Sequence, residues 1–395
     1  MKKLLILTSA FPRWKDEGLD TFMLEYAHTM AENFEVFVLA PRSKGSKKNE
    51  VWGNLKICRH KQFPIINANL AYGNGILGNL KKNPLLFFVI PFYFFLQLFA
   101  IKRIVKKHDI AIIHAHWILP QGVTSVLYKK IFNAKIKILA TIHGSDLLGV
   151  NNRIGNRLKK MVFGNIDGLS VVNEALKDGV RGLGAQNNVS VCPMGIDTAR
   201  FSPAKRDPDL KKTLGISGEF LLYVGSCIET KGIRVLITAM PLLVKEFPTI
   251  KLVIIGEGYL QTEMVSLTRA LEIQDNVTFL GSVPNKELPI YFATADVFVL
   301  PSFSEGYSLV VREALSCETL TITTDLPVFN DNSVLNEVLF KTKAGSHNDI
   351  ADKAEYILKN KEQLASLRKK GREYAIESAD WSAIGDKYTD ILNHL

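Results

Sequence analysis

Residues 301–315 read PSFSEGYSLVVREAL, and they follow the short aliphatic run DVFVL at 296–300. The run has the composition of a buried strand. Pro301 ends it, SFSEG makes a turn, and from Leu309 the spacing of Leu309, Val310, Glu313 and Ala314 is that of a helix. A strand–turn–helix unit leaves the first helical amides without intrahelical partners, so those of Gly306, Tyr307, Ser308 and Leu309 form a ready anion seat. Glu305 stands just before that seat, and Glu313 lies on the order of 8 Å further down the helix axis. Two readings follow from the spacing alone. Either the carboxylates hold hydroxyl groups on both sides of a bound phosphate, or Glu305 merely complements the helix dipole while Glu313 is an ordinary helical residue.

The same alternation repeats along the chain. Aliphatic and β-branched runs at 3–9, 35–40, 111–114, 136–142, 168–172, 189–192, 220–225, 251–256, 277–281, 296–300 and 319–323 are separated by helix-length amphipathic stretches. Strands spaced by helices build parallel sheets covered on both faces. Around 193–206, PMGIDTARFSPAKR interrupts the rhythm with Pro, Gly and charge. The length of 395 residues exceeds one ordinary core. The expectation is therefore an α/β protein of two doubly wound, Rossmann-like domains facing a cleft. The first takes residues 1–195 and the second takes 196–375.

Charge divides at the same place. The first 200 residues carry a net +15 and the remainder −5, within a total of +10. A basic half suits an anionic membrane surface or a phosphorylated substrate. It lacks the aromatic platform or zinc-finger spacing of a nucleic-acid binder, so nucleic acid is not expected as a partner. The four cysteines form no CxxC and read as reduced, buried thiols. The N-terminal MKKLLILTSAFPRW reads as a first strand rather than a leader, so the expected compartment is the cytoplasm.

One stretch breaks the rhythm. From Leu85 to Ile101 only Pro91 and Gln97 are not apolar, and Lys81, Lys82, Lys102, Arg103, Lys106 and Lys107 flank it. Three readings compete: a buried helix, an interfacial helix resting on anionic lipid, and a membrane span, the last at the short end of the length a span requires. The strands on either side belong to one sheet, which argues against the span.

Other motifs narrow the chemistry. LLYVGSCIETKG at 221–232 is a strand and a turn ending in Lys231 and Gly232, a place from which a lysine can reach a phosphate. IIGEGYL at 254–260 has GxG without the third glycine of a dinucleotide fingerprint, and no GxxxxGK[ST] loop is present. His114, His116 and His143 close strands in IIHAHWILPQG and ATIHGSDLLG, with Asp146 beside the last. No metal spacing accompanies them; the lone DxD, at 207–209, lies in the linker, so no metal is expected. Imidazoles at strand ends suit hydroxyl binding or proton transfer.

Taken together, SAFPRWKD (9–16), IIHAHWILPQG (112–122), IHGSD (142–146), PMGIDTARFSP (193–203), YVGSCIETKG (223–232) and FLGSVPNKELPIYFATADVFVLPSFSEG (279–306), closed by Glu305 and Glu313, resemble the retaining nucleotide-sugar glycosyltransferases of the GT-B fold. These form the group 1 class, whose E-x7-E motif the glutamate pair matches. The resemblance runs over nearly the whole chain, and it implies that a C-terminal helix at 376–395 crosses back onto the first domain. It implies transfer of a sugar from a UDP- or GDP-linked donor to a glycan or lipid-linked acceptor, with no cofactor and no metal. It implies that Glu305 faces the donor sugar and Glu313 the ribose. Gly225, Ser226 and the segment Gly306, Tyr307, Ser308 and Leu309 would line the diphosphate with Lys231, which neutralises the leaving group. His143 would approach the transferred sugar, and His116, Asp146 and Gly18, with the loop 12–21, would serve the acceptor side. It also accounts for the basic half and the apolar stretch, as a surface resting peripherally on the inner face of the plasma membrane.

Four positions depart from the family's pattern. Ser226 replaces an Arg, Ser308 and Glu318 replace glycines, and LPV at 326–328 replaces a Gly-Gly loop. Loss of an Arg–phosphate contact costs about 1.5–3 kcal/mol, which is roughly ten- to hundredfold in affinity. The alternative reading is accordingly a catalytically degraded paralogue that binds sugar or protein.

Overall fold

The computed structural model describes residues 1–15, 17–18, 22–64, 69–73, 75–132, 135–185, 189–330 and 332–395, apart from the side chains of Ser145 and Leu148. The chain forms two compact units, one of Met1–Gly195 with Trp381–Leu395 and one of Ile196–Asp380. The return to the first unit thus begins at Trp381 rather than at 376.

The first unit holds strands β1 (Lys3–Leu7), β2 (Glu35–Pro41), β3 (Asn49–Trp52), β4 (Leu55–His60), β5 (Ile112–His116), β6 (Lys137–Ile142), β7 (Gly168–Val171) and β8 (Val189–Val191). Their order in the sheet is β3-β4-β2-β1-β5-β6-β7-β8. All pairs are parallel except the β3–β4 hairpin, turned at Gly53 and Asn54. Leu4 to Leu7 are fully buried, as expected for a strand covered by helices on both faces. The hairpin is not visible as strands in the sequence. Asn49, Glu50, Lys56 and Arg59 interrupt its apolar residues, because it sits at the sheet edge where one face stays polar.

The second unit holds β9 (Phe220–Val224), β10 (Lys251–Ile255), β11 (Val277–Gly281), β12 (Val297–Leu300), β13 (Leu320–Thr324) and β14 (Leu339–Thr342). Their order is β11-β10-β9-β12-β13-β14, parallel throughout. Counted from β9 this is 3-2-1-4-5-6, the doubly wound order whose direction reverses between β9 and β12. Ligands in such sheets bind beyond the carboxyl ends of the strands at that reversal. The first unit has the corresponding reversal between β1 and β5. β14 reads LFKT, and its lysine and threonine keep it from registering as an apolar run of its own.

The stretch Pro84–His108 is helical over 25 residues, long and apolar enough to cross a membrane by length and composition. Its packing is that of a helix laid against the body of the unit. Tyr93, Leu98, Ile101, Ile104 and Val105 are buried on one side. There Thr124, on the helix Val123–Phe132, donates to Gln97 Oε1 at 2.7 Å. The opposite side exposes Phe88, Phe92, Phe95 and Phe99.

Candidate active site

In the second unit the loops after β9 and β12 meet at the topological reversal. Lys231 ends a turn of 3-10 helix, Glu229–Lys231, and Gly232 follows with φ +67°. A Cβ on Gly232 would lie 1.9 Å from Pro301 O, so only glycine lets the first loop seat against the end of β12. The Phe303 amide donates to Thr230 O at 2.8 Å and ties the two loops again. In this frame Lys231 Nζ lies 2.7 Å from Glu305 Oε1, and Ser302 Oγ donates to the same oxygen at 2.6 Å. The Glu305 side chain is 6% exposed and that of Lys231 26%. The carboxylate thus positions the ammonium, whose side chain stays partly open to solvent.

The helix Leu309–Ser316 begins at this point, and Arg312 shapes its start. The Arg312 guanidinium donates to the carbonyls of Tyr307 and Ser308 and stacks over the Tyr307 ring, 3.9 Å from its centroid. In a trans peptide the N–H points opposite to the C=O it is joined to. Arg312 therefore turns the amides of Ser308 and Leu309 away from itself, where the helix dipole strengthens them as anion donors. Arg312 was missed in the sequence because a lone arginine inside a helix gives no signal; its burial, with 2% exposed, is a tertiary result. Glu313 is next to it and 6% exposed.

Ser308 has φ +62° and Glu318 φ +59°. The two positions where the family pattern has glycine thus keep the left-handed backbone that glycine favours. Ser308 Oγ is also buried without a hydrogen-bond partner among the described residues. Ser226 is exposed, and Tyr223 OH donates to its carbonyl at 3.0 Å to fix the turn. Gly225 beside it donates its amide to Ile255 O. The GxG at 256–258 is a packing feature: a Cβ on Gly256 would stand 2.1 Å from Gly225 O.

In the first unit the strand-end histidines are packed together. Burial holds His143 neutral, its pKa brought down to about 3, and drives those of His114 and His116 well below the usual value as well. His116 Nδ1 and His143 Nε2 share a hydrogen bond of 3.1 Å. His116 Nε2 is buried without a partner among the described residues. An orphan acceptor costs less than an orphan donor, so the His116 proton belongs on Nδ1, donated to His143, and His143 carries its own proton on Nδ1. Trp117 lies over the His143 ring, with centroids 4.5 Å apart. His114 bonds Tyr26 OH at 2.5 Å and Thr141 Oγ1 at 2.7 Å.

Two acceptor-side expectations change here. His116 is fully buried in β5 and orients His143 instead of meeting a ligand. Asp146 is 5% exposed, and its carboxylate accepts from the amides of Ile118, His143 and Gly144, so it braces the turn that carries His143. Gly18 has φ +71° and is partly exposed; of the loop 12–21, residues 16 and 19–21 lie outside the described residues.

Two family models match end to end along the chain. Glycosyltransferase Family 4 matches residues 17–200, all but the last five in the first unit, and Glycosyl transferases group 1 matches 208–374, in the second. The chain belongs to the group 1 glycosyltransferases of the GT-B fold. Among the relatives of this glycosyltransferase, N-acetyl-alpha-D-glucosaminyl L-malate synthase of Bacillus anthracis is 25% identical, over 82% of this chain and 85% of its own. The GDP-mannose-dependent alpha-(1-6)-phosphatidylinositol monomannoside mannosyltransferase of Mycolicibacterium smegmatis is 21% identical, over 99% and 98%. The fold of Anabaena HepE, solved with UDP and glucose, matches with a TM-score of 0.76 at 15% identity over 100% of both chains.

Proposed function

We propose that this glycosyltransferase moves a sugar, with retention of anomeric configuration and without a metal, from a nucleoside diphosphate donor on its second unit. The acceptor is a growing cell-surface glycan or a lipid-linked sugar. The observation that carries the donor half is the ion pair of Lys231 with Glu305, in the loop that leads into the helix Leu309–Ser316, at the reversal between β9 and β12. As the glycosidic bond breaks, charge grows on the diphosphate. Lys231 and the amides of Ser308 and Leu309 are fixed donors for that charge, so no metal is required to stabilise it. Glu305 holds Lys231 in place and takes the donor sugar's hydroxyls, while Glu313 takes the ribose. The neutral His143, protonated on Nδ1, is a hydrogen-bond donor for a sugar hydroxyl. The GDP-mannose dependence of the mycobacterial relative and the UDP bound to HepE support a UDP- or GDP-linked donor.

The test is thermal unfolding against a panel of nucleotide sugars, followed by transfer assays in which the product anomer is read by NMR. UDP or GDP and one of their sugars raise the melting temperature, Lys231→Ala removes that shift, and Glu313→Ala weakens it. No shift from any nucleotide, or an unchanged shift in Glu313→Ala, refutes the assignment. A second reading, a paralogue that binds but does not turn over, is favoured by the exposed Ser226 in place of the family's arginine. Transfer abolished by Glu305→Ala eliminates it.

The outward phenylalanines of the helix Ile90–His108 and its basic end support peripheral attachment to an anionic membrane. The inner face of the plasma membrane, with the active site in the cytoplasm, is the location this reading assigns.

A further inference from the structure

The exposed side of Pro84–His108 is as apolar as its buried side. Leu85, Phe87, Phe88, Phe92, Phe95 and Phe99 are between 43% and 74% exposed. Phe88, Phe92, Phe95 and Phe99 recur at intervals of four, three and four residues and so form one stripe, about 16 Å long at the helical rise. A stripe of this kind on a folded surface marks a contact with an apolar phase.

The stripe leads into a cavity of about 880 Å³ on the same unit, between the end of this helix and β4. Its apolar wall is Leu96, Phe99 and Ala100, and apart from the neutral His60 its remaining wall is cationic. Among the described residues, eight of the lining side chains are Lys or Arg and none is acidic. Arg103, Lys106 and Lys107 come from the helix, and Arg59 and Lys61 from β4 and the residue after it. Arg59 is a built element and not a surface charge. It is 2% exposed, its Nη2 donates to Pro12 O at 2.6 Å and to Arg13 O, and its Nη1 lies 3.2 Å from Glu50 Oε2. Its Nε–H is buried without a partner among the described residues. A buried guanidinium with a spare donor, at the wall of a cavity that concentrates positive charge, is matched by a phosphate group.

We infer that this cavity is a headgroup site for a membrane lipid ending in a phosphomonoester or diphosphate, whose hydrocarbon lies along the phenylalanine stripe. The order of features fits one molecule, an apolar tail meeting the stripe and a multiply charged head meeting the cations. A phosphomonoester brings a charge of about −1.5 to −2 at neutral pH, against a single charge for a phosphodiester. A wall with no carboxylate therefore favours the monoester beyond simple attraction to an anionic surface. The inference rests on the peripheral attachment proposed above and is independent of the donor site.

Flotation of the full chain with three kinds of vesicle tests it: neutral phosphatidylcholine, phosphatidylcholine with phosphatidylglycerol, and phosphatidylcholine with phosphatidic acid at matched surface charge. Phosphatidic acid vesicles bind most tightly. Arg103→Gln with Lys106→Gln lowers that affinity by about thirtyfold, taking the usual contribution of a basic residue near an anionic surface twice over. The same pair leaves the nucleotide-induced melting shift unchanged, which shows the variant is folded. Phe95→Ser with Phe99→Ser releases the protein from all vesicles. Equal binding to phosphatidic acid and phosphatidylglycerol overturns the headgroup site while leaving attachment standing. No binding of the unmodified chain to any vesicle overturns attachment itself. If inorganic diphosphate stabilises the Lys231→Ala protein, whose donor seat is disabled, as well as phosphatidic acid vesicles do, the site belongs to a soluble phosphate and the lipid assignment is wrong.

Discussion

Replacing Ser308 with glycine is expected to stabilise the second unit, although it removes a side chain beside the proposed diphosphate seat. Two costs are relieved. Ser308 holds φ +62°, where an L-residue loses roughly 1–2 kcal/mol relative to the right-handed region. Its Oγ is buried without a partner among the described residues, a penalty of about 1–3 kcal/mol for an unsatisfied hydroxyl. Against these stands the extra freedom of glycine in the unfolded chain, about 0.5–1 kcal/mol. Taking the low end of all three terms leaves about 1.5 kcal/mol in favour of Ser308→Gly. For a unit of this size that corresponds to roughly 3–6 °C in melting temperature. Two controls separate the terms. Ser308→Ala keeps the backbone strain and removes only the hydroxyl, so it recovers the second term alone. Glu318→Gly, at φ +59°, recovers only the first. Thermal unfolding by calorimetry of the three variants measures all of this. A Ser308→Gly protein that melts at or below the parent temperature, with Glu318→Gly also unimproved, refutes the reasoning from strain.

Gly232→Ala places a Cβ 1.9 Å from Pro301 O, so the two loops separate, and loss of both the melting transition of the second unit and the nucleotide shift is expected in calorimetry. Arg312→Met keeps the stacking volume but frees the carbonyls of Tyr307 and Ser308, which costs about 2–4 kcal/mol of stability and weakens nucleotide binding at least tenfold in a titration. Stability of the first unit is expected to fall with acid before the carboxylates titrate. His60, at about 4 through burial, and His143, at about 3, are neutral in the fold, and His114 and His116 are displaced in the same direction. Their contribution is fully present above the unfolded value near 6.5 and is lost as pH falls towards the folded values. Each histidine steepens the loss by about 1.4 kcal/mol per pH unit in that window. Urea midpoints between pH 7 and 5 measure it, and a flat profile would contradict the burial argument.

Local chemistry made much of this protein legible before any coordinates. Strand, turn and helix around PSFSEGYSLVVREAL follow from residue spacing and Pro301, because those preferences act over a few residues. The parallel sheets follow from buried strands alternating with helices, and Glu305 and Lys231 stand out because strand ends are where such sheets offer side chains to a ligand. The edge hairpin at 49–60 did not stand out, since its polar face dilutes the apolar pattern. What only the tertiary structure decided are the partners distant in sequence. Lys231 and Glu305 stand 74 positions apart, and the sequence carries no trace of their ion pair. Whether His116 faced a ligand or the core depended on packing around β5, and Asp146 proved to hold backbone amides. The same limit governs the phenylalanines of Pro84–His108. A helix apolar on every side gives no sequence clue to which side is covered, and only its packing and the hydrogen bond from Thr124 to Gln97 turn Phe92, Phe95 and Phe99 outward.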